Sequence, residues 1–567
     1  MRIKTNYLQL SAYFLLGMLW CYTMYVSVLN PPFMAYFTVD ENFIADSGVF
    51  LWYGNTPRCL DWPATPSLLI FCLLFGISTL ASIISHRGTY EGLLDIFEQF
   101  DRNAYQYLTD RQDLILTGRT IQLLMVGTLL VLTVRFLFRH KHPLLTPASR
   151  PALAFLIVTS YVVWFNAPVL RPEALAGTLF LYLVVQMLFT EQATTGQIRL
   201  WAILFGLILA QRLIFLFLAP AILVGVFLLL PANQWKGTLR FIGLTILLFV
   251  AACPFLLTDP LVVAKSFVGG IIAKMNDEPM GTWFNYTYIG EYFKNPVSYL
   301  LILLCLLGMV KLVGTRKWFY GVLVLNWIFF LFLVLRSAKI YDTHVLPAGI
   351  ITVLVAALGA GYLAEAGKKV GTWTAIAFVM IVAFSNLREY WDFQARSHAN
   401  QNKFDAYRWI ISLPSETSLL LPPDLEFYVP KAQSTLLWES EQNRDTLKMA
   451  RKINYILRRP GSSLEAQKFP VVALSFAFED ERLYDTQYRL LLKYTEQSKR
   501  KVYNYEVYLD NTELASHSVQ REEAMENFRS GKRYRYMVSE NRLDDSEPIK
   551  EFTGGIDAPL WVYEVPL

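Results

Sequence analysis

The stretch "LWAILFGLILAQRLIFLFLAPAILVGVFLLL" (residues 200–230) decides how the chain is folded. As one α-helix it would be about 45 Å long at 1.5 Å per residue, against a hydrocarbon core of about 30 Å. Two polar residues, Gln211 and Arg212, interrupt it in the middle. Arg199 precedes it and Lys236 and Arg240 follow it, and short cytoplasmic loops are where Lys and Arg accumulate. Both flanks therefore belong on one side of a membrane, and the stretch must cross an even number of times. Two short helices meeting at Gln211-Arg212 on the outer side satisfy length and charge together.

The composition agrees with a membrane protein. Of 567 residues 54% are hydrophobic and only 17% charged, and apolar runs of near-spanning length recur from Leu8 to Phe384. Leu8 to Leu29 is long enough to span and has no small-residue cleavage site before Pro31-Pro32, so it reads as a retained first helix. From Asn386 onward the chain is charged and punctuated by Pro and Gly. The five cysteines, Cys21, Cys59, Cys72, Cys253 and Cys305, are scattered and form neither a disulfide framework nor a zinc motif. A net charge of +5 is small for this length and calls for no nucleic-acid partner.

The same charge argument settles Pro66 to Ile84. As a crossing it would put the basic loop "RFLFRHKHPLLTPASR" (135–150) outside. As a helix that enters and leaves by the outer face, it leaves all the basic loops inside. The expected crossings are then 8–29, 119–138, 151–168, 173–190, 198–211, 213–230, 238–257, 297–314, 319–336, 345–365 and 371–386. The expected fold is a polytopic α-helical membrane protein, with about eleven transmembrane helices plus juxtamembrane helices and a C-terminal soluble α/β domain. The expected domains are a transmembrane domain (1–386), with an extracytoplasmic loop at 30–118, and an extracytoplasmic domain (387–567). The N-terminus faces the cytoplasm of a plasma membrane, a bacterial inner membrane in this reading. Residue 142 should be cytoplasmic, and 95 and 450 external.

The candidate chemistry gathers on the outer face, and each part has a structural alternative. Asp40, Glu41 and Asp46 follow the first span. "TVDE" (38–41) fits a capping box with Thr38 as N-cap and Glu41 reaching back. Three carboxylates so close together also repel one another, and a raised carboxylate pKa is what a general base needs. In "RPE" (171–173), Pro172 suits a helix start and Glu173 its first turn, which the helix dipole favours in any protein. Arg171 lies beside them. Arg212 is the costlier residue, since a charge in an apolar hairpin must snorkel or meet an anion. Arg336, Lys339 and His344 crowd another outer helix end, where snorkelling is the plain alternative. "GAGYLA" (359–364) lies within a span and suits close helix packing rather than a nucleotide. No metal site is assigned and no cofactor is expected as certain; a divalent metal could be held only by the carboxylates. In the tail, strands are expected near 418–422, 471–476, 503–509, 534–539 and 560–565, with helices at 402–414, 481–498 and 519–529.

The order "DENFIADSGVFLWYG", "WPATPSLL", "GRTIQLLMVGTLLVLTV", "RPEALAGTLFLYL", "GLILAQRLIFLFLAP" and "VLPAGI" resembles the GT-C glycosyltransferases of the protein O-mannosyltransferase and lipid A aminoarabinose transferase type. The resemblance implies an inverting glycosyltransferase that moves a hexosyl or pentosyl group from a polyprenyl-phosphate sugar donor to a glycan, lipid or protein acceptor. It implies Asp40 as catalytic base beside Glu41, Glu173 as the second acidic position and Arg212 as the cation that meets the lipid phosphate. Pro63-Ala64-Thr65-Pro66 departs from the family's Pro-Pro-Leu, and Thr343-His344 from its Arg-Tyr, which weakens the donor-binding roles of Lys339 and His344. Residues 86–118 look like an enlarged insertion. A transporter or flippase is the alternative, but it should show two repeated halves with midplane polar groups. An O-antigen ligase or polymerase would share the substrates without this motif order.

Overall fold

The computed structural model describes residues 2–29, 65–87, 112–230, 234–253, 255–258, 286–315, 318–335, 342–398, 401–413, 419–421, 471–473, 536–539, 547–553 and 559–564, with short pieces at 44–45, 48–49, 51–52, 92, 95–97, 99–100, 103, 260 and 542. Among them eight helices are long and apolar enough to cross a membrane, by length and composition. Three further apolar helices are shorter, Pro172–Leu188, Thr195–Gln211 and Leu213–Leu229. The protein is a polytopic helical membrane protein.

The chain begins with α1 (Arg2–Met24), which closes in a π-helical turn over Tyr25–Leu29. Then come α2 (Thr65–Ser85), α3 (Gln112–Arg139), α4 (Ser149–Val158), α5 (Tyr161–Asn166), α6 (Pro172–Leu188) and α7 (Thr195–Gln211). After a 3-10 segment (Leu213–Leu218) follow α8 (Ala219–Leu229), α9 (Gln234–Ala252), α10 (Tyr286–Lys294), α11 (Pro296–Gly314), α12 (Trp318–Leu335), α13 (Asp342–Ala366), α14 (Lys368–His398) and α15 (Gln401–Ile411).

The long apolar run does divide at Gln211-Arg212. Arg212 is extended (φ −154°, ψ 113°) and ends α7. The return limb differs from the single helix expected over 213–230, because its first part winds as a 3-10 helix and α-geometry starts only at Ala219. Pro220 lacks an N–H and fits in the first turn of α8, not in its interior. Asn326 of α12 bridges the junction: its amide donates to the Phe217 carbonyl (2.9 Å) and its oxygen accepts from the Ala221 N–H (3.3 Å). The expected span 151–168 is likewise broken, into α4 and α5 at Thr159-Ser160. The indole N–H of the fully buried Trp164 takes up the Val158 carbonyl freed there.

Helix α6 is central, buried at almost every position, which is why its sequence is apolar all round. Helices α11 and α13 cross so closely that a Cβ on Gly308 would meet the Val355 carbonyl and one on Gly359 the Leu304 carbonyl. The "GAGYLA" glycines thus serve backbone approach. Gly359→Ala is expected to cost about 1–3 kcal/mol by forcing the backbones apart, read as a lower unfolding temperature in detergent. An unchanged midpoint would contradict the crossing.

One end collects Arg150, whose guanidinium donates to the carbonyls of Phe138, His140 and Leu145, together with the Lys311–Glu365 ion pair, Arg199, Lys236, Arg240 and Lys369. The opposite end collects Ser27, Gln122, Glu173 and Gln211-Arg212. Helix α2 meets the bundle at this second end: Phe71 lies against Gly118 of α3, and Ser67 bonds Gln211. Farther along α2, Trp52 lies against Gly76, and Ser82 accepts from Gln99.

Helix α14 runs without a break through Asn386 to His398, so the shift in composition near Leu387 falls within a helix. It continues because its far part still has something to bury: Tyr390 bonds Thr23 of α1 (2.8 Å) and Trp391 stacks on Tyr22. Beyond α15 the described strands β1 (Leu419–Leu421), β2 (Val471–Ala473), β3 (Tyr536–Ser539), β4 (Lys550–Phe552) and β5 (Leu560–Glu564) form one mixed sheet in the order β2-β1-β3-β5-β4. β1 is parallel to β2 and β3, while β5 is antiparallel to β3 and β4. Trp409 of α15 packs on Tyr536 and Phe552. β4 has no apolar run to announce it. The strand expected at 503–509 and the helices expected at 481–498 and 519–529 lie outside the described residues.

Candidate functional site

Glu173 and Arg212, far apart in sequence, meet at one end of the bundle. Pro172 opens α6 with the φ that the first turn needs, which puts Glu173 in that turn at the positive end of the helix dipole. Arg212 comes from the other direction as the C-cap of α7, its backbone N–H held by the Ile208 carbonyl (2.8 Å). Its Nε lies 3.1 Å from Glu173 Oε1, and the two side chains keep only 11% and 6% of their exposure. Neither end of this pair snorkels. At such burial the Glu173 carboxylate depends on the guanidinium, since desolvating an unpaired charge is costly.

Neighbouring groups hold the pair in place. Gln211 is wholly buried; its oxygen accepts the Ser67 N–H (3.2 Å) and its amide donates to the Ser67 hydroxyl, so α2 is tied to the residue beside Arg212. The turn into α6 is fastened by Gln122 of α3, whose amide donates to the carbonyls of Ala167 (3.2 Å) and Val169 (2.6 Å). Arg119, one turn earlier and 2% exposed, donates to the Ser27 carbonyl (3.0 Å) and so fixes where the chain leaves α1. Sequence reasoning missed Arg119, Gln122 and Ser67 as parts of this end. Arg119 and Gln122 open an apolar run in "GRTIQ" (118–122), a pattern that by itself does not tell a helix flank from a structural contact.

Arg171 is the extended N-cap of α6 at the same end, its N–H on the Val169 carbonyl (2.8 Å). The start of α13 also comes here, since Leu346 fills the space over Gly177 of α6. His344 belongs to the first turn of α13, but its side chain is outside the described residues, as are Lys339, Asp40 and Glu41. Among the described residues no group of three or more His, Cys, Asp or Glu could hold a metal ion. Cys21, Cys72, Cys253 and Cys305 are not in disulfides.

Fold and site together define a polytopic helical membrane protein with a buried acid–guanidinium pair at the end of its bundle opposite the basic loops. No family model matches the chain, and no curated protein matches it. Among solved structures it is similar to the arabinofuranosyltransferase AftD from mycobacteria, at 12% identity and a TM-score of 0.39 over 82% of this chain. The match spans 35% of that enzyme's length, and at this level of likeness it carries no assignment.

Proposed function

We propose that the protein is a membrane glycosyltransferase of the GT-C type, which moves a sugar from a polyprenyl-phosphate donor to a lipid, glycan or protein acceptor on the extracytoplasmic face. The observation that carries this reading is the buried Glu173–Arg212 pair at the end away from the basic loops. It keeps a guanidinium at a span terminus, where the phosphate of a membrane-borne donor would arrive. Asp40, which follows Leu29 in sequence by eleven residues, acts as general base with Glu41 as its neighbour in sequence. It takes the proton of an acceptor hydroxyl as that oxygen attacks the anomeric carbon with inversion. The bond from the anomeric carbon to the phosphate oxygen breaks, and polyprenyl phosphate departs with its new charge facing Arg212. Glu173 orients the guanidinium; Arg171, Lys339 and His344 add positive or hydrogen-bonding groups around the donor. The part of residues 387–567 that lies beyond α14 forms an extracytoplasmic domain that helps to select the acceptor.

The direct test supplies purified protein with a synthetic polyprenyl-phosphate sugar and a cell-envelope acceptor fraction. Release of polyprenyl phosphate with the sugar recovered on acceptor is expected. Movement of the intact lipid-linked sugar across proteoliposomes, without bond cleavage, would instead identify a flippase. Mass spectrometry of the glycolipids and glycoproteins lost on deletion names the product.

Sidedness is tested separately. His142 is buried and a poor labelling position, whereas Lys141 beside it and Gly92 in the outer loop are exposed. On a cysteine-free background, Gly92→Cys should react with an impermeant thiol reagent in intact cells, and Lys141→Cys only after permeabilisation. Labelling of Lys141→Cys from outside would overturn the assignment of faces.

A further inference from the structure

At the end opposite Glu173, a cavity of about 420 Å³ opens between α7 and α9. Arg199, Lys236 and Arg240 line it together with Ile198, Leu230 and Phe241, and no Asp or Glu is among its described lining residues. Sequence reasoning uses these three cations only to orient the chain. Orientation requires cations at this end but does not require three of them to converge on one cavity. Lys236 and Arg240 are four residues apart on the same helix, an arrangement in which like charges repel.

Two cations at this end have partners, whereas Arg135, Arg139 and Lys369 are exposed and line no described cavity. Lys311 pairs with Glu365, and Arg150 is spent on three backbone carbonyls. Among the described residues Arg199, Lys236 and Arg240 have neither an ion pair nor a side-chain hydrogen bond. The concavity is also amphiphilic: Ile198 and Phe241 are buried apolar walls below the charged rim. It lies on the perimeter of the bundle, where the same two helices expose Ile203, Leu239, Ile246 and Leu247, with Trp235 exposed at the rim. Its volume is within the range of about 300–1,000 Å³ usual for small-molecule sites.

We infer that this cavity binds the headgroup of an anionic phospholipid, with the phosphate among Arg199, Lys236 and Arg240 and the first acyl carbons against Ile198 and Phe241. A soluble phosphate compound would satisfy the cations but leave the apolar wall and the lipid-facing mouth unexplained. Basic pockets between helices at the cytoplasmic ends of spans suit such headgroups. The site stands apart from the sugar-transfer chemistry and does not depend on it.

The test is native mass spectrometry of the full-length, delipidated protein titrated with phosphatidylglycerol, phosphatidylcholine or glycerol 3-phosphate. Selective retention of phosphatidylglycerol is expected. It should weaken about five-fold for each cation removed in Arg199→Gln, Lys236→Gln and Arg240→Gln, as the attraction of one Lys or Arg to an anionic lipid surface implies. Neutralising three cations outside the cavity at the same end, Arg135→Gln, Arg139→Gln and Lys369→Gln, should leave retention unchanged. If the triple cavity variant fails to insert, the single variants carry the test. Equal loss in both triple sets, unchanged retention in the cavity variants, no preference over phosphatidylcholine, or glycerol 3-phosphate binding as tightly as the lipid would each overturn the inference.

Discussion

Arg212→Met alone is expected to destabilise the protein by about 3–5 kcal/mol, because it leaves the Glu173 carboxylate buried without its partner. The two side chains retain 11% and 6% of their exposure, so solvent does little to soften the loss. Glu173→Met should cost less, because Arg212 has a further interaction besides Glu173. The double variant Arg212→Met, Glu173→Met removes both charges and fills the space with apolar side chains of comparable length. Replacements of this kind are often neutral or stabilising, so its unfolding midpoint should lie above that of Arg212→Met, short of the parent by what the further interaction of Arg212 contributes. The coupling between the two sites, read as a double-mutant cycle, is the measurable size of the pair. Function separates from stability in the same variant. If Arg212 meets the donor phosphate, the refolded double variant remains inactive with polyprenyl-phosphate sugar; if the pair is only structural, the double variant transfers sugar at the parental rate and the assignment of Arg212 is lost.

Asp40→Asn is expected to lower sugar transfer by about 10²- to 10⁴-fold, the usual contribution of a positioned proton acceptor, with donor binding largely retained. Asn keeps the size of the side chain and can still support a helix start, so folding should survive. Thr38→Ala is the matching control for the capping-box alternative. If "TVDE" only opens a helix, Thr38→Ala costs about 0.5–2 kcal/mol of stability and Asp40→Asn leaves turnover intact. Purified variants checked for thermal unfolding and assayed side by side distinguish these outcomes. Near-parental turnover in Asp40→Asn removes it from the reaction.

The hairpin at Gln211-Arg212 was legible because two independent constraints agreed on it. A run too long for one crossing and basic flanks wanting the same side leave little freedom, and both are properties of composition over tens of residues. The gathering of basic loops at one end follows from the same arithmetic. The breaks inside spans were not legible. Thr159-Ser160 and the 3-10 segment 213–218 lie within apolar stretches that would wind as ordinary helix if only hydropathy acted. They persist because Trp164, a few residues on, and Asn326, from a helix distant in sequence, supply hydrogen bonds to the carbonyls and N–H groups left over.

The site was legible by half. Glu173 and Arg212 stood out singly, each as a charge at the end of an apolar run, but nothing local could pair them, since the pairing depends on how α6 and α7 pack. Arg119, Gln122 and Ser67 were unreadable for the same reason: a polar residue opening a span looks like any interfacial flank until its acceptor on another helix is known. Hydropathy and charge bias alone determined that this chain is a multi-span membrane protein and that the run 200–230 divides at Gln211-Arg212, because the bilayer penalises every misplaced charge whatever the neighbours are. Which buried polar groups satisfy one another was decided only in three dimensions, because away from water each must find its partner on a helix distant in sequence.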